Sequence, residues 1–106
     1  MTTENLTIQE VYEPQAQNKH PYKIGKPYFI RTVTMAIVGN LEQVFCNELV
    51  LSKASWVADT GRFSNAINKG TLNEVEPFNF EEDVIIGRHS IIDATIWCHK
   101  LPTKQI

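Results

Sequence analysis

The run Tyr28 to Val38 (YFIRTVTMAIV) constrains this chain more than any other stretch. Its β-branched and aromatic side chains fit a half-buried pleated surface and lose rotamer freedom in a helix. It reads as one long strand. Gly39-Asn40 supplies the residue types of a tight hairpin turn, and Leu41 to Cys46 follows as the returning strand. Asn47-Glu48 marks a second turn. Leu49 to Leu51 and Ala54 to Ala58 continue as short strands, or as one strand bent at Ser52-Lys53. The pattern is a meander.

One helix interrupts it. Over Arg62 to Lys69, Phe63, Ala66 and Ile67 stand at i, i+3 and i+4 and form a single apolar stripe. Asp59 or Thr60 is the expected N-cap, and Gly70 suits the left-handed position after the last turn. Two turns do not persist alone in water, so the Phe63 face must pack on the sheet. Further short strands are expected at Leu72 to Val75, before Pro77, and at Val84 to Ile86, with an acidic loop over Asn79 to Asp83 between them. Gly87-Arg88 is a turn, and Ser90 to His99 is the last strand. Its alternation assigns Ile92, Ala94, Ile96 and Cys98 to a core face, and Ile91, Asp93, Thr95, Trp97 and His99 to the other. The expected fold is mainly β (α+β): a small curled sheet or barrel of five to six short antiparallel strands with one short helix.

The chain has 106 residues, enough for one domain. Residues 1–26 form a polar N-terminal arm in which only Leu6, Ile8 and Val11 offer apolar anchors, and the arm either frays or lies on a neighbouring subunit. Residues 27–106 form the β-rich domain. A net charge of −2 gives no general attraction to polyanions, which argues against non-specific nucleic-acid binding. No apolar run is long enough for a helical membrane span, and residues 1–10 lack the basic and apolar regions of a signal peptide. A reducing cytoplasm is expected, with Cys46 and Cys98 reduced and buried as small hydrophobes rather than joined in a disulfide.

Few residue constellations suggest chemistry. His20, His89, His99, Cys46 and Cys98 lack zinc-like spacing, and adjacent Cys98 and His99 point to opposite faces of a strand. No metal or other cofactor is expected. There is no nucleophile elbow, and His89-Ser90 with Asp93 is a weak triad fragment. Glu74/Glu76 and Glu81/Glu82/Asp83 fit solvated acidic loops. An anion site is conceivable at Asp59 to Phe63, where Thr60, Gly61 and Arg62 stand at a helix N-terminus and Trp56 offers a stacking surface. The opposing explanation is a helix cap, with Asp59 occupying the place an anion would take. An interface is the other candidate: Tyr28, Ile30, Ile91 and Trp97 are large groups on strands whose opposite faces are also apolar. Arg31 could there pair with Asp93.

Several of these stretches together resemble an uncharacterised family of small bacteriophage proteins, a domain of unknown function. The resemblance spans about Pro27 to Pro102 and rests on Tyr28-Phe29-Ile30-Arg31-Thr32, on Glu48 to Trp56, and on Ala58-Asp59-Thr60-Gly61-Arg62-Phe63 followed by a helix ending at Gly70. Glu74-Val75-Glu76-Pro77 and the ending Ile91 to Pro102 complete it. It implies a viral accessory protein acting in the cytoplasm of an infected bacterium, and it carries over no catalytic residue. The expected function is a binding protein without catalysis, a homo-oligomer that captures a host or phage protein or a small anionic nucleotide. A structural virion component using its arm for assembly is the alternative.

Overall fold

The computed structural model describes residues 20–106, so the expectations for most of the arm lie outside the described residues. Six antiparallel strands form one open sheet: β1 (Pro27–Thr32), β2 (Ala36–Val44), β3 (Glu48–Asp59), β4 (Glu74–Pro77), β5 (Val84–Gly87) and β6 (Ile91–Ile96). The helix α1 (Phe63–Lys69) lies between β3 and β4, and a 3-10 turn (Arg88–Ser90) joins β5 to β6. The order is β4-β3-β2-β1-β6, with β5 pairing the first half of β3 on the side where β4 pairs the second half. The sheet is mainly β as expected, and it is open rather than a barrel.

Two of the expected boundaries move, for local reasons. The run Tyr28 to Val38 is broken after Thr32, where Val33 and Thr34 form a two-residue hairpin loop. The Thr32 N–H donates to the Met35 carbonyl at 2.7 Å. The Thr32 hydroxyl also accepts from the Met35 N–H at 3.1 Å, which closes the turn without glycine or asparagine. Gly39-Asn40, expected as the turn, instead sits inside β2. The cause lies across the ladder. Lys53 has φ 50 and breaks the register of β3, shifting Ala54 against β2. A Cβ on Gly39 would stand 3.0 Å from both Ala54 Cα and Ala54 Cβ, so glycine serves close strand approach here.

Register shifts also decide which residues are core. In β3 the first face takes Leu49 and Leu51 before the bulge and Ala54 after it, a change of parity at Ser52-Lys53. These join Tyr28, Ile30, Ile37, Leu41 and Ile86 in one buried cluster. The second face buries Phe29, Val38, Val57 and Trp97 under Ile67 of α1, Leu72 and Leu101. In β6 a shift opposite Arg31/Thr32 displaces Ile92, which is 65% exposed rather than core. Ile91, Ala94 and Ile96 pack on the first cluster, and Trp97 turns into the second.

Residues 20–26, assigned to the arm, are held on the domain. Tyr22 meets Tyr28 edge-on at 5.7 Å, and the Gly25 N–H donates to the Leu41 carbonyl at 2.7 Å. The helix ends as expected, with Gly70 left-handed and its N–H on the Ala66 carbonyl. It begins differently. Arg62 occupies the N-cap position, no side chain caps it, and the Asp59 carboxylate accepts instead from the Gly61 N–H at 2.8 Å.

Candidate functional site

Four of the ten large apolar side chains that stay exposed among the described residues lie together. Val33 in the β1–β2 loop, Met35 just before β2, Trp56 on β3 and Phe78 after β4 are between 40% and 72% exposed. Met35 and Phe78 border two adjoining depressions. One is floored by Ile37 and Ile86 and walled by Val33, Val84 and Ile85; the other is lined by Trp56, Glu76 and Pro77. Their positions follow from the fold. Trp56 pairs with Ile37 across β2–β3 and therefore shares the face of the first core. The split of β3 between β4 and β5 brings Phe78 and Val84 to the same place. Glu76 is the one charged residue around these depressions, and Gln105 Nε2 donates to its carboxylate at 3.2 Å.

The residues expected from sequence separate into three places. Trp56 belongs to the apolar face, whereas the helix packs through Ile67 on the second core, so Trp56 and Arg62 lie on opposite sides of the sheet. At the turn, the Thr60 hydroxyl donates to the Gly61 carbonyl at 2.8 Å and the Gly61 N–H is already held by Asp59. These groups satisfy one another and converge on no shared cavity. Titration of the wild type with mono- and cyclic nucleotides should therefore give no binding heat, and Arg62→Ala should leave that blank result unchanged. A saturable heat lost in Arg62→Ala would restore the anion site.

The four interface candidates fare differently. Tyr28 and Trp97 are buried by their own chain, at 5% and 2% exposure. Trp97 stacks on Phe29 at 5.8 Å, meets His99 edge-on at 5.0 Å and donates its indole N–H to the Lys100 carbonyl at 3.0 Å. Trp97 keeps the parity assigned to it, opposite Ala94 and Ile96, but that face is covered by Ile67 of α1, Leu72 and Leu101 rather than left for a partner. Ile91 is half-buried against the first core. Asp93 is exposed and receives Arg31 in a two-pronged pair, with Nε on Oδ1 at 2.9 Å and Nη2 on Oδ2. The guanidinium also lies 5.0 Å from the centre of the Phe63 ring.

The Arg31 hydrogen bond holds the Asp93 carboxyl below its ordinary range. A carboxyl whose folded pKa is depressed stabilises the fold above its unfolded pKa, and that contribution fades as pH falls through the folded value. Both side chains are about half exposed, so the contribution is small. Asp93→Asn should accordingly flatten the acid limb of urea midpoints measured through the carboxylate range. A limb as steep as that of the wild type would assign it to other groups.

The apolar face escaped sequence analysis because its members come from three separate segments, none with a motif. Only Trp56 was singled out, and for a different role. Among the described residues no group of three potential metal ligands comes together. No protein-family model, curated protein or solved structure matches the chain.

Proposed function

We propose that this chain is a binding protein without catalysis, and that a second copy of itself docks on the face formed by Val33, Met35, Trp56 and Phe78. The supporting observation is the continuity of that face: four large apolar groups around two joined depressions, where single exposed apolar residues would be ordinary. Its near-absence of charge favours a like partner. A two-fold interface sets one patch against itself, which an apolar surface permits and a strongly charged one opposes. The setting implied by the resemblance, an accessory role in a phage-infected bacterium, is part of this reading.

Light scattering on the purified protein at micromolar concentration tests it. A mass of about twice the 12.1 kDa chain is expected. A 12.1 kDa species throughout the range would overturn docking of a second copy and leave a different protein as the occupant to be sought.

A further inference from the structure

The two outer edges of the sheet are finished differently. At β4 the Ile106 N–H donates to the Val75 carbonyl at 3.0 Å, Gln105 donates to Glu76, and Pro77 ends the strand. At the other edge β6 pairs only with β1 among the described residues. The Trp97 N–H donates to the Pro27 carbonyl at 2.8 Å, so by alternation Thr95 also turns its backbone toward β1. Ala94 and Ile96 then turn their N–H and C=O groups outward, in a row that templates another strand. Natural edges are commonly blunted by lysine, proline, a bulge or an unpaired charge. From Asp93 to Ile96 the pairing with β1 is regular, without lysine or proline, and the one charge is engaged by Arg31.

A groove lies on each side of this edge. On the side of the first core, Tyr22, Ile91 and Ile92 line one of about 460 Å³. On the helix side, Phe29, Phe63 and Ile67 line one of about 370 Å³. Asp93 and Ala94 border both, so the grooves meet at β6. Side chains of an extended chain alternate, so a strand added here sets successive residues into the two grooves in turn.

Charge selects the occupant. Arg88 stands in the first groove and has no carboxylate partner among the described residues. Its Nη1 donates to the Phe45 carbonyl at 2.8 Å, and the guanidinium lies 5.5 Å from the centre of the Tyr22 ring. These contacts hold the group in place and leave Nε and Nη2 without an acceptor among the described residues. Nε and Nη2 together form the fork that takes a carboxylate in two prongs, as Arg31 takes Asp93. The helix-side groove offers no free charge, because Arg31 and Asp93 neutralise each other there. We propose that β6 receives an extended peptide of a partner protein, with an acidic side chain on Arg88 and apolar neighbours toward Phe63 and Ile67. The two grooves share no lining residue with the face assigned to a second copy, so this surface stands apart from that reading.

A display library of random octapeptides, selected on the full chain, tests this, with the tightest binder synthesised and titrated by NMR. The recovered sequences should share one acidic position with an apolar residue beside it. Saturation should slow exchange of the Ala94 and Ile96 amides tenfold or more. Arg88→Ala should weaken binding at least tenfold, because a charge-assisted pair is lost. Since Arg88 also holds Phe45, Ala94→Pro is the second variant: it removes an outward N–H from an edge strand, where proline is tolerated, and should weaken binding as much. Failure to recover any binder, binders that leave the two amides exchanging as before, or binders indifferent to either variant would each overturn the proposal. Protection of Ala94 and Ile96 before any peptide is added would overturn it too, because the edge would then already be covered.

Discussion

Trp97→Ala is expected to lower folding stability by about 3–5 kcal/mol, as large-to-small changes at fully buried aromatic positions do. Domains of this size hold about 5–15 kcal/mol in total, so the variant should melt far below the wild type or fail to fold at body temperature. Three contacts are lost together. Trp97 is 2% exposed, stacks on Phe29 in the core under α1, and fixes the chain after β6 through its bond to the Lys100 carbonyl. His99, which packs edge-on against Trp97, also reaches the Ile67 carbonyl at 2.8 Å, so the same cluster ties the helix down. Ile92→Ala is the companion measurement. Alternation places Ile92 in the core and Trp97 on a face left for a partner, whereas the shift leaves Ile92 65% exposed and α1 covers the face of Trp97. Urea unfolding should therefore show a large loss for Trp97→Ala and a change within about 0.5 kcal/mol for Ile92→Ala. The reverse order would mean that β6 lacks the shift at Ile92 and that α1 does not cover Trp97.

That difference marks the boundary of what was legible in the sequence. Features governed by neighbours along the chain were readable: the stripe of α1, the left-handed Gly70 after it, and the bend in β3 at Ser52-Lys53. Features governed by the opposite strand were not. Gly39 carries the residue type of a turn, yet its role is to admit Ala54 across a bulged ladder. The true turn, at Val33-Thr34, has β-prone residues and depends on Thr32 for its closure. A one-residue shift in β6 set Ile91 against the core and Ile92 at the surface, because side chains in a strand change face at each step. The pairing of Arg31 with Asp93 was anticipated as chemistry, but its location within one chain depends on the β1–β6 register. At the helix start, the positive φ of Gly61 moves the cap to Arg62 and directs Asp59 to the Gly61 N–H. The apolar face was the least accessible of all, since it exists only once β4 and β5 divide the length of β3 between them.

Val33→Lys is expected to abolish self-association while leaving the fold intact. Val33 is 72% exposed in the β1–β2 loop, so an ammonium there can stay in water in the single molecule, and stability should change by about 0.5 kcal/mol or less. In a two-fold pair the same substitution enters twice. Each lysine would face an apolar surface whose one carboxylate, Glu76, borders the neighbouring depression and is engaged by Gln105. Burying unpaired charge in an interface costs several kcal/mol, and each 1.4 kcal/mol is tenfold in affinity, so the dissociation constant should rise by roughly a hundredfold or more. Trp56→Ala attacks the same face by removing an anchor. Aromatic anchors at interface centres are typically worth about 2 kcal/mol or more, or roughly thirtyfold in affinity. Sedimentation velocity over a concentration series, beside a melting curve for each protein, separates assembly from folding. Both variants should sediment as folded monomers where the wild type is paired. If they assemble like the wild type, the second copy docks elsewhere on the molecule and the apolar face loses its assigned role.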